Sequence, residues 1–600
     1  MKLTRSRIIA AIAFLCLLAG SLEIYDPVLP KNAGQVLRAI EKKTSLPVTE
    51  WAEAITGSPI AEMEPPQPSP REVYEPGTVG AAMEKIVQEK EAEQAANDRI
   101  TLKSIKFQGV TILGDMELKE QVSRFLDVPM SYEEMLEISM AVESYYRRNN
   151  YLARVILPPQ DLTDGVLTVD VIESVFSRVE IEQELADLPN TQAHVEAIIL
   201  AQQPTGEPLN TKSLDRALAL ANNLPGMNVQ GSLRQGSDAG ETELLLKLYQ
   251  GRTRQAELSL DNAGSRATGV QRLMASLTWF NPNDIADLLS LVAVHTQGSD
   301  YARMAYSIPV GVDGWRMGAN FSSMNYEVIV GEQGMVGAVG HAVTKGLEWL
   351  YPLIRHDNSK ATISLTADAK TFQNTSAQGL LMSDYEAKVL AAQVSGFYRD
   401  LNPGGGTGTY ALQLSHGHIN LDGSLSQQTD STTVQTAGMF DKLRVNGTWQ
   451  QSLSTQTSAF VSYTGQLADR NLDSSEKMQL GGMTGVRAYP TGEGSGSDAQ
   501  LVQLELRHSL ESGLNLTGFY DWGQIWLQHD PSYPGGPQHN RNTYKGFGAS
   551  VAFTNDDGVN FKATWARRQG SNPNPTKTGN NDQDGTRDRN RYWLQVTLPF

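Results

Sequence analysis

Six hundred residues are too many for one ordinary core and predict two to four domains. A net charge of −17 argues against nucleic acid as a partner. Apolar residues make up 40%, yet no apolar run approaches the ~20 residues of a membrane helix.

The longest apolar run, 8–20 (IIAAIAFLCLLAG), follows Lys2, Arg5 and Arg7 and has the layout of a signal peptide, cleaved after Gly20 or Ser21. The one cysteine, Cys16, lies inside it behind Leu15 rather than a small residue, which argues against a lipoprotein signal and leaves the mature chain without a disulfide. Residues 32–43 form a short helix with Val36, Leu37 and Ile40 on one side. The proline-rich stretch 58–77 reads as an extended linker, and 81–98 as a charged, solvated helix.

Two modules of similar layout follow. In the first, 101–107 alternates as a strand, 115–126 and 132–148 are helical, and 152–157 and 166–173 are strands. In the second, 177–181 is a strand, 192–200 and 213–222 are helices, and 228–234 and 243–248 are strands. Each is β-α-α-β-β over about 75 residues, enough for a small core.

From Arg252 the texture changes: glycine, serine, asparagine and tyrosine rise and helical periodicity ends. Alternating segments recur at 257–260, 288–295, 361–367, 410–416 and 460–466. In the final one, Tyr592, Leu594, Val596, Leu598 and Phe600 share a face, with Trp593, Gln595, Thr597 and Pro599 between them. A soluble sheet blunts such an edge, whereas a barrel pairs it by closure and turns its apolar face to lipid. Long polar connections (528–542, 570–588) alternate with short turns (510–513, 555–558), as external loops and periplasmic turns do. About 350 residues at ~20 per strand give roughly 16 strands. The His416-Gly417-His418 pair reads as an ordinary lumen-facing feature rather than a metal site. Gly492 to Gly496 lacks the lysine of a phosphate cradle, and no catalytic constellation stands out.

Three segments give these features a family. Residues 151–173 (YLARVILPPQDLTDGVLTVDVIE) and 208–229 (PLNTKSLDRALALANNLPGMNV) resemble the consensus stretches of two POTRA domains. Residues 481–498 (GGMTGVRAYPTGEGSGSD) resemble a sixth external loop with a Val-Arg-Gly-Tyr/Phe tip, here Val486, Arg487, Ala488 and Tyr489. The chain resembles the TpsB outer-membrane transporters of two-partner secretion, the hemolysin or hemagglutinin secretion/activation proteins. The resemblance implies a mainly β fold with α+β periplasmic modules, two POTRA domains and a 16-stranded transmembrane β-barrel. Its plan is a signal peptide at 1–20, helical segments and linker at 21–99, POTRA domains at 100–175 and 176–251, and a barrel at 252–600. Either 32–43 or 81–98 is a candidate pore plug.

The family's aromatic-x-Asp-x-Gly strand matches Phe519, Tyr520, Asp521, Trp522 and Gly523. Alternation puts Asp521 in the lumen, opposite Tyr520 and Trp522. Arg487 reaches Asp521 if the loop enters the barrel, and a bidentate pair would pin the loop there. Alanine at 488, where the family has glycine, is strained if that position needs positive φ.

The implied function is export of a large unfolded exoprotein, recognised by the POTRA domains, without ATP, cofactor or catalysis. Its implied partners are the exoprotein, the lipid and lipopolysaccharide of the outer membrane, and the barrel assembly machinery for its own insertion. An assembly factor inserting other barrels is the alternative. Two POTRA domains and a proline linker favour secretion over that reading, and the periplasmic modules argue against a passive porin.

Overall fold

The computed structural model describes residues 99–600 apart from 184, 186, 332–334, 357, 403 and 577–580. The leader, both N-terminal helices and the linker lie outside the described residues. The described residues divide between two compact units at Gly251/Arg252.

The first module of the N-terminal unit holds β1 (Ile100–Thr101), β2 (Ser104–Gln108), α1 (Asp115–Val122), β3 (Pro129–Met130), α2 (Tyr132–Arg148), β4 (Ala153–Ile156) and β5 (Val166–Glu173). Helix α2 begins with a full capping box, Ser131 and Glu134 each bonding the other's backbone N–H. Its Met135, Ile138, Val142 and Tyr146 recur at helical spacing and are buried. They pack on Leu167, Val169 and Val171 of β5. Sheet order is β2-β5-β4. The strand expected over 101–107 is broken at Leu102, because Leu102 turns fully into the core while Lys103 N–H donates to the Gly165 carbonyl at 2.7 Å. The helix expected to reach 126 ends in a 3-10 turn, Ser123–Phe125.

The second module holds β6 (Val175–Gln183), α3 (Pro189–Gln202), α4 (Thr211–Ala221), β7 (Met227–Gln235) and β8 (Glu241–Gln250), with sheet order β6-β8-β7. Asn210 caps α4 by accepting from Lys212 and Ser213 N–H. Strand β7 is an edge. Asn222 bonds both the N–H and the carbonyl of Val229, so at Val229 the backbone points away from β8.

The C-terminal unit is a closed barrel. Its first eight strands are β9 (Arg254–Asp261), β10 (Arg272–Phe280), β11 (Leu288–Thr296), β12 (Ser299–Val310), β13 (Trp315–Glu327), β14 (Val339–His356), β15 (Ser359–Thr375) and β16 (Leu381–Arg399). Next come β17 (Gly406–Asn420), the short helix α5 (Gln427–Thr432), β18 (Gly438–Ser452) and β19 (Thr457–Ala468). The long connection after β19 contains a two-residue ribbon, β20 (Met478–Gln479) with β21 (Ser495–Gly496). The last five are β22 (Asp498–Ser509), β23 (Leu514–Trp526), β24 (Arg541–Thr554), β25 (Asn560–Arg568) and, closing the ring, β26 (Asn590–Pro599). Leaving out the β20–β21 ribbon, the ring has 16 strands. Strand β26 pairs antiparallel with β9, Leu598 opposite Leu258. Phe600 and Ala256 exchange backbone bonds beyond it.

Alternation places large apolar residues outward, among them Leu347, Leu390, Leu414, Leu506 and Phe547, and leaves them exposed on the wall that lipid covers. One expectation is overturned. His416 and His418 share the outward face of β17 with the exposed Tyr410, Leu412 and Leu414. The period of two that makes those residues lipid-facing carries the histidines with them, and His416 Nδ1 meets Asp441 at 2.8 Å.

Candidate functional site: a loop anchored inside the barrel

The connection 469–497, the sixth external one, does not stay outside. At its tip a tight turn runs from Val486 to Tyr489, closed by the Tyr489 N–H on the Val486 carbonyl at 3.0 Å. Val486, Ala488 and Tyr489 are fully buried, in one cluster with Phe519, Ile525 and Tyr544 of the barrel wall.

Two wall glycines make room for the tip. A Cβ on Gly523 would come within 3.0 Å of Leu480 and Val486, and one on Gly546 within 2.4 Å of the Ala488 methyl. The Ala488 backbone does not adopt positive φ, so the expected strain is not present. Its methyl instead fills the space that Gly546 leaves. Tyr489 meets Tyr544 edge-on at 4.9 Å, and the Arg568 guanidinium lies 4.5 Å from its ring centroid.

Arg487 and Asp521, 5% and 0% exposed, face each other. The guanidinium binds the carboxylate through two bonds, Nε to Oδ2 at 2.9 Å and Nη2 to Oδ1 at 2.6 Å. The Arg487 backbone N–H donates to the same carboxylate at 3.0 Å. Nη1 turns to Glu505 on β22 at 2.6 Å, and Arg507 binds the other oxygen of Glu505 at 2.8 Å. The Phe519 ring lies 3.5 Å from the guanidinium carbon. Trp593 of β26 donates its indole N–H to the Arg487 carbonyl at 2.8 Å. Two cations thus meet two carboxylates over an aromatic floor, so the buried charges are balanced.

The same loop is held at two further points. Glu476 reaches Lys370 on β15 at 2.7 Å and Lys442 on β18 at 2.6 Å. Burial raises the Glu476 carboxyl, but the two ammonium groups outweigh it and hold the group below the usual carboxylate range. Glu493 accepts from Asn572 at 2.9 Å and from the Gln583 N–H at 2.7 Å, both on the connection between β25 and β26. Burial pushes its carboxyl up to about 7, against those bonds.

All seven residues singled out from the sequence, Val486, Arg487, Ala488, Tyr489, Phe519, Asp521 and Gly523, meet here. Sequence reading missed Glu505, Trp593, Gly546, Glu476, Lys370, Lys442 and Glu493. The one signal for Glu476 was an acid flanked by Lys477 in a polar loop, which reads as a solvated charge.

The family model described as haemolysin secretion/activation protein ShlB/FhaC/HecB matches residues 240–538, and that of the ShlB-type POTRA domain matches 100–174. The chain belongs to this secretion/activation family. It is similar to the heme/hemopexin transporter protein HuxB of Haemophilus influenzae, 25% identical over 68% of this chain and 72% of that one. Similarity to the outer membrane transporter CdiB of Dickeya dadantii is 24% over the same shares. Among solved structures, CdiB from Escherichia coli superposes with a TM-score of 0.65 over 94% of this chain and 97% of that one, at 18% identity. CdiB from Acinetobacter baumannii gives 0.59 over 94% and 98%, at 15%. The protein is therefore a two-partner secretion transporter of the Gram-negative outer membrane, with its POTRA domains in the periplasm.

Proposed function

We propose that this transporter exports one large exoprotein in unfolded form, received by POTRA domains at 100–175 and 176–251 and passed through the barrel at 252–600. No step draws on ATP; folding of the client outside supplies the bias. The supporting observation is the sixth loop seated within the lumen by the Arg487–Asp521 pair. This charge-balanced clamp, with the ties at Glu476 and Glu493, holds the loop in the conformation that secretion needs.

The client adds as a strand to a sheet edge, where main-chain bonds supply affinity and shallow pockets select side chains. Edge strand β7 fits this role. By the period of two, Gly231, Leu233 and Gln235 present their N–H and carbonyl groups in the same direction as Val229, away from β8.

The test is Arg487→Ala in the producing bacterium. Export of the partner exoprotein should fall at least about tenfold, the size of effect that losing a buried charge pair allows. The variant should still insert, as judged by heat-shifted electrophoretic mobility. Normal export would refute the role of the clamp. Deletion of the gene should trap the exoprotein in the periplasm; depletion of other outer-membrane barrels instead would favour an assembly factor.

A further inference from the structure

Strands β23–β26 build the wall behind the seated loop, and their outer face carries an unusual charge pattern. The only acid in these four strands is Asp521, which points inward to Arg487. Tyr544, Gly546 and Arg568 also point inward, the first two against the loop tip and the third onto Asp582. Lys545 and Arg567, one residue out of phase, therefore point outward. Both lie at the external ends of their strands, beside the long connections that follow β23 and β25.

The register makes them neighbours. Arg567 stands opposite Phe547, and Lys545 is two residues along β24 on the same face, so the two cations are diagonal partners. Lys545 also faces Trp522 across β23. Neither side chain forms an ion pair among the described residues. A third cation, Arg541, stands opposite Trp526 with its guanidinium 5.6 Å from that ring. Directly below Lys545 the outward positions of β24 become apolar: Phe547, Ala549, Val551 and Phe553.

Three cations without one outward carboxylate are not what a chain of net charge −17 offers by composition. They sit where the apolar band ends on the external side, between aromatic residues that mark the headgroup level. We propose that this wall is a binding site for a phosphorylated lipid of the outer leaflet, the lipid A part of lipopolysaccharide. Its phosphates lie on Lys545 and Arg567, with Arg541 at the rim, and its acyl chains run down the Phe547–Phe553 stripe. Guanidinium and ammonium groups bind phosphate oxygens through charge-assisted bonds. With no carboxylate on the wall, the contact needs no bridging divalent cation.

The test uses the full chain in phosphatidylethanolamine nanodiscs, with bisphosphorylated lipid A as probe and native mass spectrometry as readout. Retention of lipid A should fall roughly tenfold or more with dephosphorylated lipid A, and likewise in the Lys545→Gln/Arg567→Gln variant. It should persist in EDTA and be unchanged by Lys345→Gln, a control on β14. Equal retention of dephosphorylated lipid A, or equal retention by the double variant, would overturn the proposal. So would equal retention of phosphatidylglycerol, which assigns the site to any anionic lipid, or loss of binding in EDTA. If the double variant fails to show the folded mobility, Lys545→Gln and Arg567→Gln are read singly against the same criterion.

Discussion

Arg487 leaves none of its charged donors idle: Nε and Nη2 go to Asp521 and Nη1 to Glu505, while Phe519 covers one face. Removing the guanidinium would leave Asp521 buried without a cation, which costs about 3–5 kcal/mol for a buried pair. That is comparable to a small domain's whole stability, so the seat would empty rather than adjust. Glu493 gives the loop a pH dependence. Its usual value of 4.5 rises to about 7 in the seated loop, so between those values the seated form holds a proton that the released form lacks. Seating should therefore tighten by up to about tenfold per pH unit as pH falls below 7, and be weakest above it. Single-channel open probability at pH 6 and pH 8 measures this, and Glu493→Gln should flatten the difference. Arg487, Asp521 and Phe519 were legible because each sat in a short motif. Glu505 and Trp593 were not, because a charge or an indole in an alternating strand carries no mark of what faces it across the lumen.

At the scale of elements, the helices and closing strands of both periplasmic modules were legible within a few residues, since each carries a strong period and a cap or turn signal. Ends were less legible. The break at Leu102 depends on bonds from Lys103 to Gly165, more than sixty residues away. The lumen-facing reading of the β17 histidines fails because they share parity with Tyr410, Leu412 and Leu414, which fixes their face. Parity also yields a prediction for β7. Leu233→Pro deletes an N–H that points away from β8, a loss an edge strand tolerates. A soluble fragment spanning 100–251 should keep its helical and strand signal in circular dichroism with this substitution. Its binding to the client's N-terminal domain should drop about tenfold or more, as lost main-chain pairing implies. Unchanged binding would remove β7 from the docking surface.

For the whole molecule, strand number followed from the length of the C-terminal half and orientation from the alternation of long and short connections, but strand length did not. Strands β14, β15 and β16 run 18, 17 and 19 residues, well past the apolar band. The alternating segment legible in this region, 361–367, covers less than half of β15. Ring closure rests on a short ladder: Gln595, Val596, Thr597, Leu598 and Pro599 against Asp261, Leu260, Ser259, Leu258 and Glu257, with Phe600 on Ala256 beyond it. Removing 597–600 should therefore prevent the heat-shifted mobility of the closed form and abolish export, measured on membranes of the producing strain.

The indole of Trp593, bonded to the carbonyl of Arg487, ties the seam to the lock. The keyhole is cut partly from the strand that closes the ring. A sheet still lacking that stave offers the arginine tip an unfinished socket. The complete seat, Trp593 bond included, thus exists only where β26 is in place.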